Sequence, residues 1–137
     1  MRTYRFTVAG LPPKKDGAYS MWNKPAEVEK LRLLRSAAAK SFGGDPPLSK
    51  NIRLTLRAHI GPLNTSTIGD LDNFLTGICD GLQAAHSGTP FRFEFEEAIH
   101  PSLHIALADD VEVTRIDAEK VIAPAEAPYY EITLEGE

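Results

Sequence analysis

Residues 49–60, SKNIRLTLRAHI, alternate with a period of two. Ile52, Leu54, Leu56 and Ala58 fall on one side; Arg53, Thr55, Arg57 and His59 fall on the other. That period fits a strand with one face buried and one face, here a basic one, toward water. Such a strand cannot stand alone. Its backbone donors and acceptors need neighbouring strands, and its apolar side needs a cover.

The rest of the chain supplies both. TYRFTVAGLPP reads as a strand at about 3–9, stopped by Gly10 and the prolines. Residues 11–24 read as a loop. KPAEVEKLRLLRSAAAKSF then reads as a helix, with Pro25 suited to a first turn and Glu27 and Glu29 at the positive dipole end. Val28, Leu31, Leu34, Ala38 and Phe42 share one face, and Arg32 and Lys40 fall on the polar side. Gly43-Gly44 ends the helix, and Pro46-Pro47 prevents its restart. A second helix is predicted over about 71–85, with Leu71, Phe74, Leu75, Ile78 and Leu82 inward. FRFEFEE alternates like a strand at about 91–97, and SLHIAL is a further candidate. VEVTRIDAEKVIA and YYEITLEG read as closing strands. The order β-α-β-α-β-β predicts an α+β domain, with two main helices packed on a mixed sheet.

At 137 residues, 42% of them hydrophobic and 25% charged, the chain has the size and apolar content of a single domain, 1–137. No apolar run approaches the roughly 20 residues that span a bilayer, so no membrane is expected. The N-terminus lacks the apolar core of a signal peptide. A lone cysteine, Cys79, permits no internal disulfide, and the expected compartment is a reducing cytoplasm. Net charge is -4, unevenly spread: residues 1–69 carry 12 Lys/Arg against 4 Asp/Glu, and residues 70–137 carry 3 against 15. That asymmetry fits solvated faces of mixed sign, and it also fits a basic surface for a polyanion beside an acidic site for cations.

The acidic half contains GDLDNFLTGICDGLQ, with Asp70, Asp72 and Asp80 in a largely apolar segment. On a helix, Asp72, Thr76 and Asp80 line up at i, i+4 and i+8, opposite the core face. Asp70 suits a cap and Asp72 suits the first turn, so a capping residue and a solvated stripe account for each aspartate singly. A second pair, Asp109-Asp110, opens the next strand. If that strand lies beside the helix N-terminus, four or five carboxylates converge and repel unless a cation sits among them. Mg²⁺, held by carboxylates, water and phosphate oxygens, is the hard cation of choice, and phosphodiester cleavage is chemistry it supports.

DLDNFLTGICDGL followed by LADDVEV resembles the signature of the RusA family of Holliday-junction resolvases, D-x-D-N-L-x-K-x-x-x-D-A-L and then D-D-x-x-V. The likeness runs from the first strand, ending in LPP, to the final EITLEG. It implies a RusA-like fold and a homodimer that uses Mg²⁺ to make paired nicks in branched DNA. It implies that Asp70, Asp72 and Asp110 are catalytic and hold the metal, with Asp80 and Asp109 as further acidic positions and Asn73 as the motif asparagine. Three departures stand out. Thr76 occupies the position of the family's helix Lys. An insertion at about 86–104 separates the helix from the acidic pair. The chain is acidic overall, which puts the expected DNA surface in the N-terminal half, with Lys14, Lys15, Lys24, Arg32, Lys40, Arg53 and Arg57 as its residues. Two other functions fit the same motifs: a relative that binds DNA junctions without cutting them, and a metal-dependent phosphohydrolase acting on a smaller substrate.

His100 and His104 have the spacing of a transition-metal pair if helical, but Pro101 opposes a helix and no third ligand is evident. Cys79 borders the core face and reads as a small buried hydrophobe. Tyr19 and Trp22 either stack on bases or anchor their loop to the core.

Overall fold

The computed structural model describes residues 1–15, 20–61, 71–122 and 126–137. Six principal elements follow one another: β1 Arg2–Ala9, α1 Pro25–Phe42, β2 Ile52–His59, α2 Leu71–Gly81, β3 Val113–Val121 and β4 Tyr129–Gly136. The fold is α+β. The four strands form one mixed sheet in the order β1-β4-β2-β3. β4 runs antiparallel to both β1 and β2, whereas β2 and β3 are parallel. Parallel neighbours need a crossover connection, and α2 provides it. A helix in that position returns against the direction of the strands, so its last turn meets the start of β3.

The alternation of β2 is realised as expected. Ile52, Leu54, Leu56 and Ala58 are buried together with Tyr130, Ile132 and Leu134 of β4 and with Tyr4 and Val8 of β1. Leu34, Ala38 and Phe42 of α1 and Phe74 and Ile78 of α2 belong to the same core, so both helices cover one face of the sheet. α1 starts at Pro25 and ends where Gly43 turns left-handed at φ 57°, its N–H reaching Ala39 O at 3.0 Å.

Three expectations are corrected. α2 stops at Gly81 rather than near 85, because its last carbonyls are taken by other partners. Arg35 Nη1 donates to Gly81 O and Gln83 O, and Leu82 O accepts from the amides of Ile105, Ala106 and Leu107. Residues 91–97 form no strand; their only regular structure is the start of a 3-10 turn at Glu97–Ile99. The alternating rings serve another purpose: Phe91 and Phe95 pack on Trp22 at 6.3 and 5.9 Å, and Arg32 lies 5.2 Å over Phe95. SLHIAL contributes only an isolated bridge, Leu107 to Leu48.

Arg35 anchors this irregular segment. It is fully buried on the core side of α1, and among the described residues no carboxylate forms an ion pair with it. Nε donates to Ile99 O at 3.0 Å, Nη1 to Gly81 O and Gln83 O at 2.7 and 2.9 Å, and Nη2 to His100 O and Leu103 O at 2.6 and 2.7 Å. A guanidinium has five N–H donors, and here they meet five backbone carbonyls. Its rear face lies 5.2 Å from the Trp22 ring. Burial lowers its pKa to about 10, so it stays charged at neutral pH.

Candidate metal and phosphate site

α2 carries the acidic residues because its core face is apolar and its other face is not. Asp72 and Thr76 are exposed on that outer face, and the Thr76 hydroxyl donates back to Asp72 O at 3.0 Å. Asp70 lies outside the described residues. Asp80, one turn beyond Thr76, pairs with Lys15, Nζ to Oδ2 at 2.9 Å.

The crossover fixes where Asp109 and Asp110 meet this helix. Asp109 Oδ1 accepts from Val111 N–H at 3.0 Å and caps the 3-10 turn Asp110–Glu112 that leads into β3. The Asp110 N–H donates to Gln83 Oε1 at 3.3 Å, while Gln83 Nε2 donates to Cys79 O at 2.9 Å. Asp110 therefore stands beside the last turn of α2. Asp80, Asp109 and Asp110 line one cavity of about 650 Å³, together with Gln83, Trp22 and Lys15. Cys79 is buried against this group. Burial pushes its thiol up to about 12, and the charges of Asp110 and then Asp80 add to that.

The structure brings Asp110 together with Asp80 and Asp109, and not with Asp72. Asp72 and Asp80 are eight residues apart, or about 12 Å along a helix axis. An ion with oxygens at about 2.1 Å spans little more than 4 Å, so the two ends of α2 cannot share one. Among the described residues, no group of three or more His, Cys, Asp or Glu is arranged to hold a metal ion. The chemistry of the cavity's donors still suits Mg²⁺, which commonly takes one or two carboxylates and fills its shell with water and phosphate oxygens.

The expected DNA-binding residues do not share one surface. Lys24, Arg32 and Lys40 belong to the start, middle and end of the α1 layer. Arg53 and Arg57 lie on the open face of the sheet. The basic face of β2 becomes a face of mixed sign once its neighbours are added. Arg53 stands across from Glu135 of β4, and Arg57 pairs with Asp117 at 3.3 Å and with Glu119 at 2.8 Å. His59 pairs with Glu131 at 3.1 Å. Arg32 is held by Glu29 at 3.2 Å and by the Glu94 carbonyl. Lys14 and Lys15 follow a segment pressed onto α2.

That close approach depends on Gly77. A Cβ built there would fall 2.0 Å from Pro13 O, so no larger residue fits beneath the segment as it lies. Lys14 N–H donates to the buried Glu27 carboxylate at 2.9 Å and fixes the segment from the other side. Reading the sequence missed Gly77, Gln83 and Arg35. For Arg35 a signal exists: it lies four residues after Leu31 and three before Ala38, on the apolar stripe.

Each of the two candidate ligand histidines accepts a backbone N–H at its Nδ1. His104 Nδ1 accepts from Ala84 N–H at 3.0 Å and His100 Nδ1 from Ser102 N–H at 3.0 Å. Trp22 is buried beneath the 91–95 rings and anchors its loop; Tyr19 lies outside the described residues. Among the described residues, no helix is long and apolar enough to cross a membrane. No protein-family model matches the chain, and no curated protein matches it.

Proposed function

We propose that the chain is a RusA-like, Mg²⁺-dependent endonuclease that cuts branched DNA as a homodimer in the cytoplasm. The observation that carries the reading is the cavity lined by Asp80, Asp109 and Asp110, at which Lys15 pairs with Asp80. Carboxylates outnumber cations there, which favours a divalent ion, and a phosphodiester brings the remaining oxygens. Bound Mg²⁺ would supply Lewis acidity and charge neutralisation at the scissile phosphate. Asp80 and Asp110 would hold it, Gln83 would keep Asp110 in place through its backbone N–H, and Lys15 would lie within reach of the phosphate. Asp72, at the other end of α2, would serve a second ion or position the DNA. Paired nicks require two such sites. Along the edge strand β3, Ile116 is 48% exposed, and Val111 and Ile122 flank it exposed as well; this is apolar surface suited to a second copy.

A second reading is a junction-binding protein that does not cut. It is favoured by Thr76, whose hydroxyl is turned to its own helix backbone and offers no charge to a phosphate. One assay separates the two. A labelled synthetic four-way junction and a linear duplex are incubated with the protein, with and without Mg²⁺. Symmetric nicks in the junction that need Mg²⁺ and vanish in Asp110→Asn support the endonuclease. Tight junction binding with no nick at any Mg²⁺ concentration supports the binding protein.

A further inference from the structure

We propose that Lys15 is the residue that takes the substrate phosphate in the acidic cavity at the end of α2; this rests on the reading of that cavity as a nucleic-acid site. Lys15 is the one Lys or Arg among the described residues that line it. Its backbone approach is packed and hydrogen-bonded, whereas its head group is largely exposed. Pro12 and Pro13 are buried, Pro13 O lies where a Cβ on Gly77 would stand, and the amide of Lys14 is bound to Glu27. Beyond these restraints the Lys15 side chain is 56% exposed and reaches Asp80 at 2.9 Å.

An exposed pair of this kind contributes little to folding. What it does is set an ammonium at the lining of the cavity, a compact point charge at the end of a long stem. A phosphate oxygen is as good a partner as Asp80. Were Asp80 to hold a divalent ion, that carboxylate would have less need of Lys15, and the ammonium would be free to meet a phosphate oxygen. Thr76 lies one helical turn from Asp80, so a lysine introduced there covers the same space from the helix side.

The test uses Lys15→Ala, Lys15→Arg and the double variant Lys15→Ala/Thr76→Lys. Binding of a fluorescent four-way junction is followed by anisotropy in Ca²⁺ across a salt series, and single-turnover nicking is followed in Mg²⁺. Lys15→Ala is expected to reduce the slope of log K against log[salt] by about one phosphate contact. Its nicking rate is expected to fall by on the order of 10²-fold or more, with an unchanged thermal midpoint. Lys15→Arg retains the slope, and the double variant recovers both slope and rate. A wild-type slope in Lys15→Ala overturns the assignment whatever the rate. A wild type that binds but never nicks, with the slope still falling in Lys15→Ala, rejects the endonuclease and keeps Lys15 as a phosphate contact. A wild type that does not bind the junction rejects both.

Discussion

Arg35 and Lys15 are both cations set against oxygen, and both act on the last turn of α2, yet their surroundings are opposite in kind. Arg35 is fully buried and its five donors are matched by five carbonyls. Lys15 is exposed, and it faces a cavity whose carboxylates outnumber it. The first centre is saturated: nothing can be added to it, and removing it leaves buried acceptors without donors. The second has unmet charge and space for a ligand. A buried cation with every donor matched holds a fold together, and an exposed one beside surplus carboxylates is available for function.

The largest expected effect lies at Arg35. Arg35→Leu keeps much of the volume but strands the buried carbonyls of Ile99 and Gly81 away from water and removes the donor from three part-buried ones. A stranded buried acceptor costs about 1–3 kcal/mol, and two go at once, so a loss of about 4 kcal/mol is expected. Urea denaturation followed by circular dichroism measures it. Arg35→Lys, with three donors in place of five, is expected to fall between. A Leu variant within about 1 kcal/mol of wild type would show that the saturated centre is not what anchors the segment.

A middle-sized effect is expected at the crossing of residues 11–15 over α2, where two glycines give an internal control. Gly77→Ala puts a methyl group against the backbone oxygen of Pro13, which cannot rotate away. Relieving that overlap is expected to cost about 1–3 kcal/mol and to lift Lys15 off Asp80. At Gly81 the added methyl meets side-chain carbons, the Cδ2 atoms of Leu31 and Leu34 at 3.0 Å and Pro13 Cγ at 3.9 Å, and the leucine methyls can yield. Gly81→Ala also gains up to about 1 kcal/mol of helix propensity, so its net change is expected near zero. Chemical denaturation of both variants checks the contrast, and equal losses would break it.

How much of this was legible in the sequence follows from where each signal resides. The period of two in β2 and the apolar stripe of α1 are local, and both gave the right element and the right buried face. Residues 91–97 carry the same period of two, but their rings pack on Trp22 and beneath Arg32, which only the tertiary fold supplies. The motif aspartates were legible as residues and not as a constellation. Whether Asp110 meets Asp72 or Asp80 depends on the direction of α2 relative to β3, and that depends on β2 and β3 being parallel. Likewise the alternating Arg53 and Arg57 read as a basic face until β3 and β4 brought Asp117, Glu119 and Glu135 beside them. Arg35 was hidden because a charge on a helix is usually solvated, and here it is the core position that is unusual.

The smallest expected effect sharpens the electrostatic side of the comparison, and Cys79 reports it. In the folded chain, burial raises its thiol to about 12, with Asp110 and Asp80 adding to the shift, whereas in the unfolded chain it titrates near 9. Between those values the folded state keeps a proton that the unfolded state has lost. The unfolded state then binds fewer protons, so stability falls as pH rises above about 9. The limiting slope for one group is about 1.4 kcal/mol per pH unit. At pH 10 the loss relative to neutral pH is expected to be about 1.4 kcal/mol, at the low end of the range for Gly77→Ala. Other groups, including Tyr130, whose phenol is raised by burial, contribute equally to any variant that retains them. The difference between wild type and Cys79→Ala therefore isolates the thiol. Urea denaturation from pH 8 to 10.5, with reductant and EDTA present, is the measurement. The wild type is expected to lose stability relative to Cys79→Ala progressively above pH 9, and Asp110→Asn to make that loss shallower by removing one of the two nearby charges. Parallel curves for wild type and Cys79→Ala would mean that the thiol is not held in a buried, negatively charged setting, and the cavity beside it would lose the surplus charge on which its contrast with the Arg35 centre depends.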